Sequence, residues 1–424
     1  MNGTSGPSRR GFLGAALGGI GVVAAGGGYG VARATAADAP VQAHSGTAGP
    51  SAKAAVPFYG QHQAGIATPS QDRIAFAAFD LTTHDVEAVK TLLGSWSAAA
   101  AQLTAGQEIG ADPELAAEVP PEDTGEALGL PAAQLTITVG FGPKLFDQRF
   151  GLGSRRPGAL VDLPAFPTDA LDPARGGGDL GVQACANDPM VAFHAIRNFS
   201  RLARGTAVMR WSQLGFGKTS GVADPNFTGR NLMGFVDGTN NITPKAGIDH
   251  NTFVWVGDET DQPWMHGGSY LVTRLIRMHI ESWDADGIAD QEAVIGRRKA
   301  SGAPLTGSLE HDTVDLSAAG PNGPLIPADS HIRLAAPATN GGQKILRRGY
   351  SYTNGTDPLT GQLDGGLFFL AYQKDVRKQF IPIQKRLSGT DALNEYIRHV
   401  SSGIFAVPPG LQGPGDWYGK ALFS

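Results

Sequence analysis

Short apolar runs alternating with helical periodicities constrain this chain more than any other feature. Residues 73–80 (RIAFAAFD), 135–141 (LTITVGF), 180–186 (LGVQACA) and 208–216 have strand length and strand composition. Between the first two, Val86, Val89, Leu93, Trp96 and Ala100 recur at helical spacing behind Thr83, a capping residue type. Between the last two, Asp188 and Pro189 open a helix through Val191, Ala195, Phe199 and Leu202 that stops near Gly205. Four strands interleaved with helices predict one α+β unit. The second half repeats the rhythm without obvious sequence identity. Strands are expected at 270–280, 344–352 and 367–373, helices at 290–297 and 376–387, and a further helix from Thr390 and Asp391. The expectation is two similar α+β domains, 57–222 and 223–424, meeting near the loop at 234–238. A Pro/Gly-bearing connection at 301–329 has the length of functional loops.

Residues 1–36 read as an export signal rather than as part of the fold. Arg9 and Arg10 lie in a paired-arginine segment, an Ala/Gly-rich run follows, and Ala32-Arg33-Ala34 and Ala34-Thr35-Ala36 offer small-residue cleavage sites. The glycine in that run makes its hydropathy mild, which argues against a permanent membrane anchor. The expected partner is the twin-arginine translocase, with membrane contact only during export and a secreted, periplasmic or cell-surface destination. Residues 37–56 form a low-complexity linker. Net charge is −5 with no dense basic run, so nucleic acid is excluded as the expected partner class. A single cysteine, Cys185, forbids a disulfide framework, and the lack of Cys-x-x-Cys-His excludes covalently attached haem. Zinc-ligand spacing, a phosphate-binding loop and a Gly-x-Ser-x-Gly elbow are also absent from the sequence.

Within 231–242 (NLMGFVDGTNNI), Asp237 stands between Gly234 and Gly238, which tolerate positive φ and close backbone approach. A carboxylate held there can face a cavity floor; equally, Asp237-Gly238 can be a turn that Asn240 and Asn241 continue. Arg347 follows an apolar strand start, so its guanidinium can point inward, where it needs an anion such as Asp237. The competing reading makes Arg347 and Arg348 a solvent-facing pair. Of ten histidines, His84, His194 and His399 are assigned to solvated helix faces. His44 and His62 fall in the linker or first ordered residues, His250 and His266 in loops, His279 on a strand and His311 in the long connection. His331, after Ala328-Asp329-Ser330, stands apart in context, although a lone histidine is more often structural than a ligand.

Four segments then occur in one order: GFVDG at 234–238, SHIR at 330–333, ILRRGYSY at 345–352 and GLFFLAY at 366–372. Together they resemble the dye-decolorising peroxidases, and the paired-arginine signal is similar to that of their exported, deferrochelatase/peroxidase branch. The resemblance runs from about residue 57 to the C-terminus. It implies an α+β fold of two ferredoxin-like domains with antiparallel sheets, of the duplicated dimeric α+β barrel type, with one haem b between them. His331 would be the iron ligand, Asp237 the distal acid/base and Arg347 the distal arginine. Val236 and Gly238 would flank Asp237 in the cofactor site, Leu367 and Phe369 would wall the distal side, and Asp391 would accept the other N–H of the ligating imidazole. Hydrogen peroxide and an organic or metal reductant are the implied partners, and the oligomeric state is left open. Two departures stand out: Ala338 replaces an arginine that some relatives place near a haem propionate, and Gly349 replaces a polar distal side chain. Tyr350, Tyr352, Tyr372, Trp211, Trp255 and Trp264 are available electron relays, though each fits ordinary packing better. Two alternatives remain: a haem-handling protein that releases iron, and a haem-free exported binding module.

Overall fold

The computed structural model describes residues 55–110, 119–217, 228–243 and 247–424. The export signal and nearly all of the linker expected at 1–56, His44 included, therefore lie outside the described residues.

Strand β1 (Arg73–Leu81) shows how the sequence builds the first half. Its alternate residues point to opposite faces. Ala75, Ala77 and Phe79 pack on the helices, while Ile74, Phe76 and Ala78 join a second core with Trp211 and Phe368. Both faces are buried, which is why the run is almost continuously apolar. Helix α1 (Val86–Thr104) follows and presents Val89, Leu93 and Trp96 to the first core. Its N-cap is Asp85, which accepts from the Glu87 amide at 2.9 Å; the expected cap, Thr83, instead accepts from the Asp85 amide. After β2 (Thr136–Phe141) and β3 (Leu180–Ala186), helix α2 (Pro189–Leu202) starts at the expected Asp188 cap, whose carboxylate accepts from Met190 and Val191 amides. Trp96 Nε1 donates to Phe199 O at 2.9 Å and pins α1 on α2. With β4 (Ala207–Phe216) the strand order is β2-β3-β1-β4, antiparallel throughout.

The second half contains α3 (His250–Phe253), β5 (Ser269–Met278), α4 (Ile280–Ala285), α5 (Ile288–Ile295), the small pair β6 (Ala319–Gly320) and β7 (Gly323–Pro324), and α6 (His331–Ala335). Then come β8 (Leu346–Arg347), β9 (Tyr350–Thr356), β10 (Leu363–Gln373), α7 (Phe380–Thr390) and β11 (Ile397–Val407). The order β11-β5-β10-β9 repeats that of the first half: the first strand of each unit lies between the third and the last. Single paired positions, Ala406 with Phe141 and Phe216 with Ser351, join the two sheets at both edges. Eight strands thus close on themselves, with β8 added along β10.

Several sequence expectations change. The helix expected from Thr390 shrinks to a 3-10 turn at Ala392–Glu395, and the chain then enters β11. His399 consequently sits on a strand and is buried, as is His194 on α2, held between the Asp123 and Glu126 carboxylates at 3.3 and 2.8 Å. His84 precedes α1 rather than lying on it, and His279 follows β5 as the N-cap residue of α4 rather than lying on the strand. The single strand expected at 344–352 breaks between Arg347 and Tyr350. Arg348 turns into the closed interior, where it donates to Thr68 O and Gln71 Oε1; it forms no solvent-facing pair with Arg347.

Candidate active site

One cavity of about 990 Å³ gathers all eight sequence-derived site residues: Val236, Asp237, Gly238, His331, Arg347, Leu367, Phe369 and Asp391. That volume is at the upper end of the ~300–1,000 Å³ range of small-molecule sites. Among the described residues its lining runs from Asn231 to His399, all of them in the second half. The sequence expectation places the group between the two halves; the described lining lies under one sheet face, with residues of α6 and α7 against it.

The histidine side is built from two turns. His331 is the first residue of α6, after Ser330, whose Oγ donates to Pro327 O. Ala392 N donates to Asp329 O at 3.0 Å, which ties the turn before His331 to the turn carrying Asp391. Asp391 divides its oxygens: Oδ1 caps the 3-10 turn by accepting from Leu393 N, and Oδ2 lies 2.7 Å from His331 Nδ1. A carboxylate can only accept here, so Nδ1 carries the proton and the neutral ring keeps its lone pair on Nε2. The carboxylate is 2% exposed, whereas the imidazole is 36% exposed because it borders the open cavity. Burial opposes charging the imidazole, but Asp391 outweighs it by charge and hydrogen bond, and the His331 pKa lies above its ordinary value. Arg347 and Asp237 also act on it, in opposite senses.

A second part of the lining is a loop fastened to a strand. Gly234 and Gly238 adopt φ of +82° and +130°, the left-handed region that a side chain would strain. Arg230 bridges to Val236, and Asp237 N donates to Gly229 O at 2.9 Å. Asn231 Oδ1 accepts from the Met233 and Phe235 amides, and its Nδ2 reaches Asp237 Oδ2 at 3.5 Å. Arg347 Nη1 donates to Asp237 Oδ1 at 2.9 Å. Asp237 is thus both a turn residue and one partner of a charged pair facing the cavity. Leu367 and Phe369, two apart on β10, supply an apolar wall beside the pair.

Some contributors carry no sequence signal. Arg297, two residues past the end of α5, lines the cavity while only 7% exposed. Its Nη1 donates to Gly302 O and Glu310 O, and it forms no ion pair among the described residues. Arg274 on β5 pairs with Asp169, and burial together with Arg274 pushes the neighbouring His399 down to a pKa of about 3. The two departures have local consequences. Ala338 lines the cavity without offering a charge, and a Cβ on Gly349 would meet Leu367 Cδ1 at 3.2 Å, so leucine fills that space. Five of the six aromatic relay candidates are buried packing residues; Trp255 is half-buried and stacks on His62 with centroids 3.8 Å apart.

Residues 63–217 match the N-terminal model of the Dyp-type peroxidases and residues 228–412 the C-terminal model. The chain belongs to the DyP-type peroxidase family, haem-dependent oxidoreductases. Within it, a deferrochelatase of Escherichia coli strain K12 is 39% identical over 432 residues, covering 99% of this chain and 98% of the relative. A DyP-type peroxidase structure from Cellulomonas bogoriensis is 42% identical with TM-score 0.79, covering 87% of this chain and 98% of that one. Ferric DtpA from Streptomyces lividans is 40% identical with TM-score 0.80, covering 87% and 96%.

The residues present fit a haem. The cavity has room, the β10 wall is apolar, and His331 offers Nε2 as a nitrogen ligand. Arg297 is a buried cation without an ion-pair partner among the described residues, which suits a cofactor carrying carboxylates.

Proposed function

We propose that this chain is a haem b peroxidase that reduces hydrogen peroxide and oxidises dyes, phenolics or other organic or metal reductants, with one haem per chain ligated by His331. The single observation supporting this most is the presence of two hydrogen-bonded couples on one cavity: His331–Asp391 at 2.7 Å and Arg347–Asp237 at 2.9 Å. Bound haem would supply the electron chemistry that no side chain here can. Asp391 holds the His331 ring in one tautomer and raises its donor strength. On the other side, the Asp237 carboxylate takes a proton from one peroxide oxygen and returns it to the other, and Arg347 stabilises negative charge developing there. Leu367 and Phe369 exclude bulky donors, so large reductants give up electrons at the protein surface.

In this reading the two four-stranded units are ferredoxin-like domains, divided near residue 223, and the paired arginines at 9 and 10 direct export through the twin-arginine translocase. A second reading draws support from the name of the Escherichia coli relative: release of iron from haem, with peroxidase activity incidental. Haem-reconstituted protein given peroxide and a dye separates them. The proposal expects dye oxidation with the porphyrin still metallated. Iron-free porphyrin accumulating without peroxide-dependent turnover would overturn it in favour of the second reading.

A further inference from the structure

The strand that carries Arg347 is two residues long, and its hydrogen bonding leaves a gap. Arg347 pairs with Ala371 of β10, and Arg348 N donates to Leu370 O at 2.8 Å. In an antiparallel ladder this makes Arg347 a non-hydrogen-bonded position, so its own amide and carbonyl point away from β10. An unpaired main-chain donor and acceptor beside a cavity is costly. Among the described residues no neighbouring strand covers that edge. The Asn241 carboxamide does: Oδ1 accepts from Arg347 N at 2.9 Å, and Nδ2 donates to Arg347 O at 2.7 Å. Only this orientation works, because the flipped amide would set donor against donor and oxygen against oxygen.

Asn241 lies four residues beyond Asp237, on the segment whose earlier part is fixed by the Arg230–Val236 bridge and the Asp237–Gly229 bond. Unlike Asn240, it is not among the cavity-lining residues, and its carboxamide is committed to the Arg347 main chain. We propose that Asn241 is a positioning residue for peroxide cleavage. Its carboxamide completes the β8 edge and locks the Arg347 backbone in register with the Asp237 loop. The 2.9 Å contact between Arg347 and Asp237 then depends on two bonds made by a residue outside the site. This rests on the reading of Arg347 and Asp237 given above. Aspartate is not equivalent at this position: it retains the acceptor for Arg347 N but sets a carboxylate oxygen against Arg347 O. Alanine loses both bonds.

The test combines a cofactor-free readout with kinetics. In the haem-free chain, amide exchange of a peptide spanning 345–349 should speed up in Asn241→Ala and remain near wild type in Asn241→Asp. In the haem-loaded proteins, the second-order rate with peroxide per bound haem should fall about 10- to 100-fold in Asn241→Ala, the scale of an ångström-level misplacement. Asn241→Asp, an independent check should the alanine variant not fold, should also be slowed. Adding Asn241→Ala to Arg347→Ala should slow the reaction no further. A merely structural asparagine would lower the melting temperature and leave the rate per bound haem unchanged, and that result overturns the proposal. So does full additivity with Arg347→Ala. If Arg347→Ala itself reacts at the wild-type rate, the role of Arg347 fails and this proposal with it; if it is slow while Asn241→Ala is not, positioning alone fails.

Discussion

Removing the two partners of the Asp237–Arg347 ion pair on the cavity, one at a time, distinguishes what each does. Asp237 and Arg347 are 26% and 30% exposed, so their ion pair contributes on the order of 1 kcal/mol or less to stability. Asp237→Ala and Arg347→Ala should therefore fold and bind cofactor, and a rate loss can be assigned to chemistry. Only Asp237 can shuttle a proton, because arginine does not deprotonate in proteins. General acid–base catalysis contributes ~10²–10⁴, so Asp237→Ala should slow the reaction with peroxide by that factor. Arg347→Ala should lose charge stabilisation worth ~10²–10³, as for an oxyanion donor. Asp237→Asn is the sharper control: it keeps the turn and the shape but cannot take the proton, so it should be as slow as alanine. Stopped-flow mixing with peroxide, following the Soret change, measures all three. Asp237→Asn or Asp237→Ala reacting at near the wild-type rate would refute the acid/base role and leave Asp237 a turn residue. A far larger loss from Arg347→Ala than from Asp237→Ala would mean that charge stabilisation dominates, with water relaying the proton.

Two further outcomes follow from buried and terminal features. The His399 pKa is depressed to about 3 by burial and by Arg274, against about 6.5 when unfolded, so the unfolded chain binds the extra proton between those values. Stability should fall as pH drops from about 6.5 towards 3, by up to about 1.4 kcal/mol per pH unit, and melting curves of His399→Gln should show a flatter acid limb; an identical limb would place the acid sensitivity elsewhere. Replacing Arg9 and Arg10 together with lysine should leave precursor in the cytoplasm, because the pair is read by a receptor rather than as bulk charge; normal export in a fractionation assay would point to another route.

What could be read from the sequence divides along physical lines. Strands β1 to β3 were legible because burial on both faces demands near-continuous apolar runs, β4 because burial on one face leaves alternation, and Asp188-Pro189 marked α2 because cap and first-turn preferences are local. Strand β11 was missed: IRHVSSGIFAV interrupts its apolar residues with histidine, serines and glycine, while Thr390 and Asp391 imitate a helix start. The cap at Asp391 is real, but it serves a single 3-10 turn, and its second oxygen is committed to His331. His194 and His399 misled because a histidine's burial depends on partners brought from elsewhere in the chain: Asp123 and Glu126 for one, Arg274 for the other. The break after Arg347 was not visible either. It falls where Arg348 turns into the closed interior to meet Thr68 and Gln71, partners that lie far away in the sequence. Asn241 stood in plain view as a turn residue, and only the strand edge it covers shows a second use.

The identity of the fifth iron ligand tests the whole account most directly. Purified wild-type protein should show a Soret band and a resonance Raman iron–imidazole signature. His331→Ala should lose the haem, or hold it without that signature, while circular dichroism shows the fold retained. A His331→Ala protein with full haem occupancy and an unchanged axial-ligand signature would contradict it.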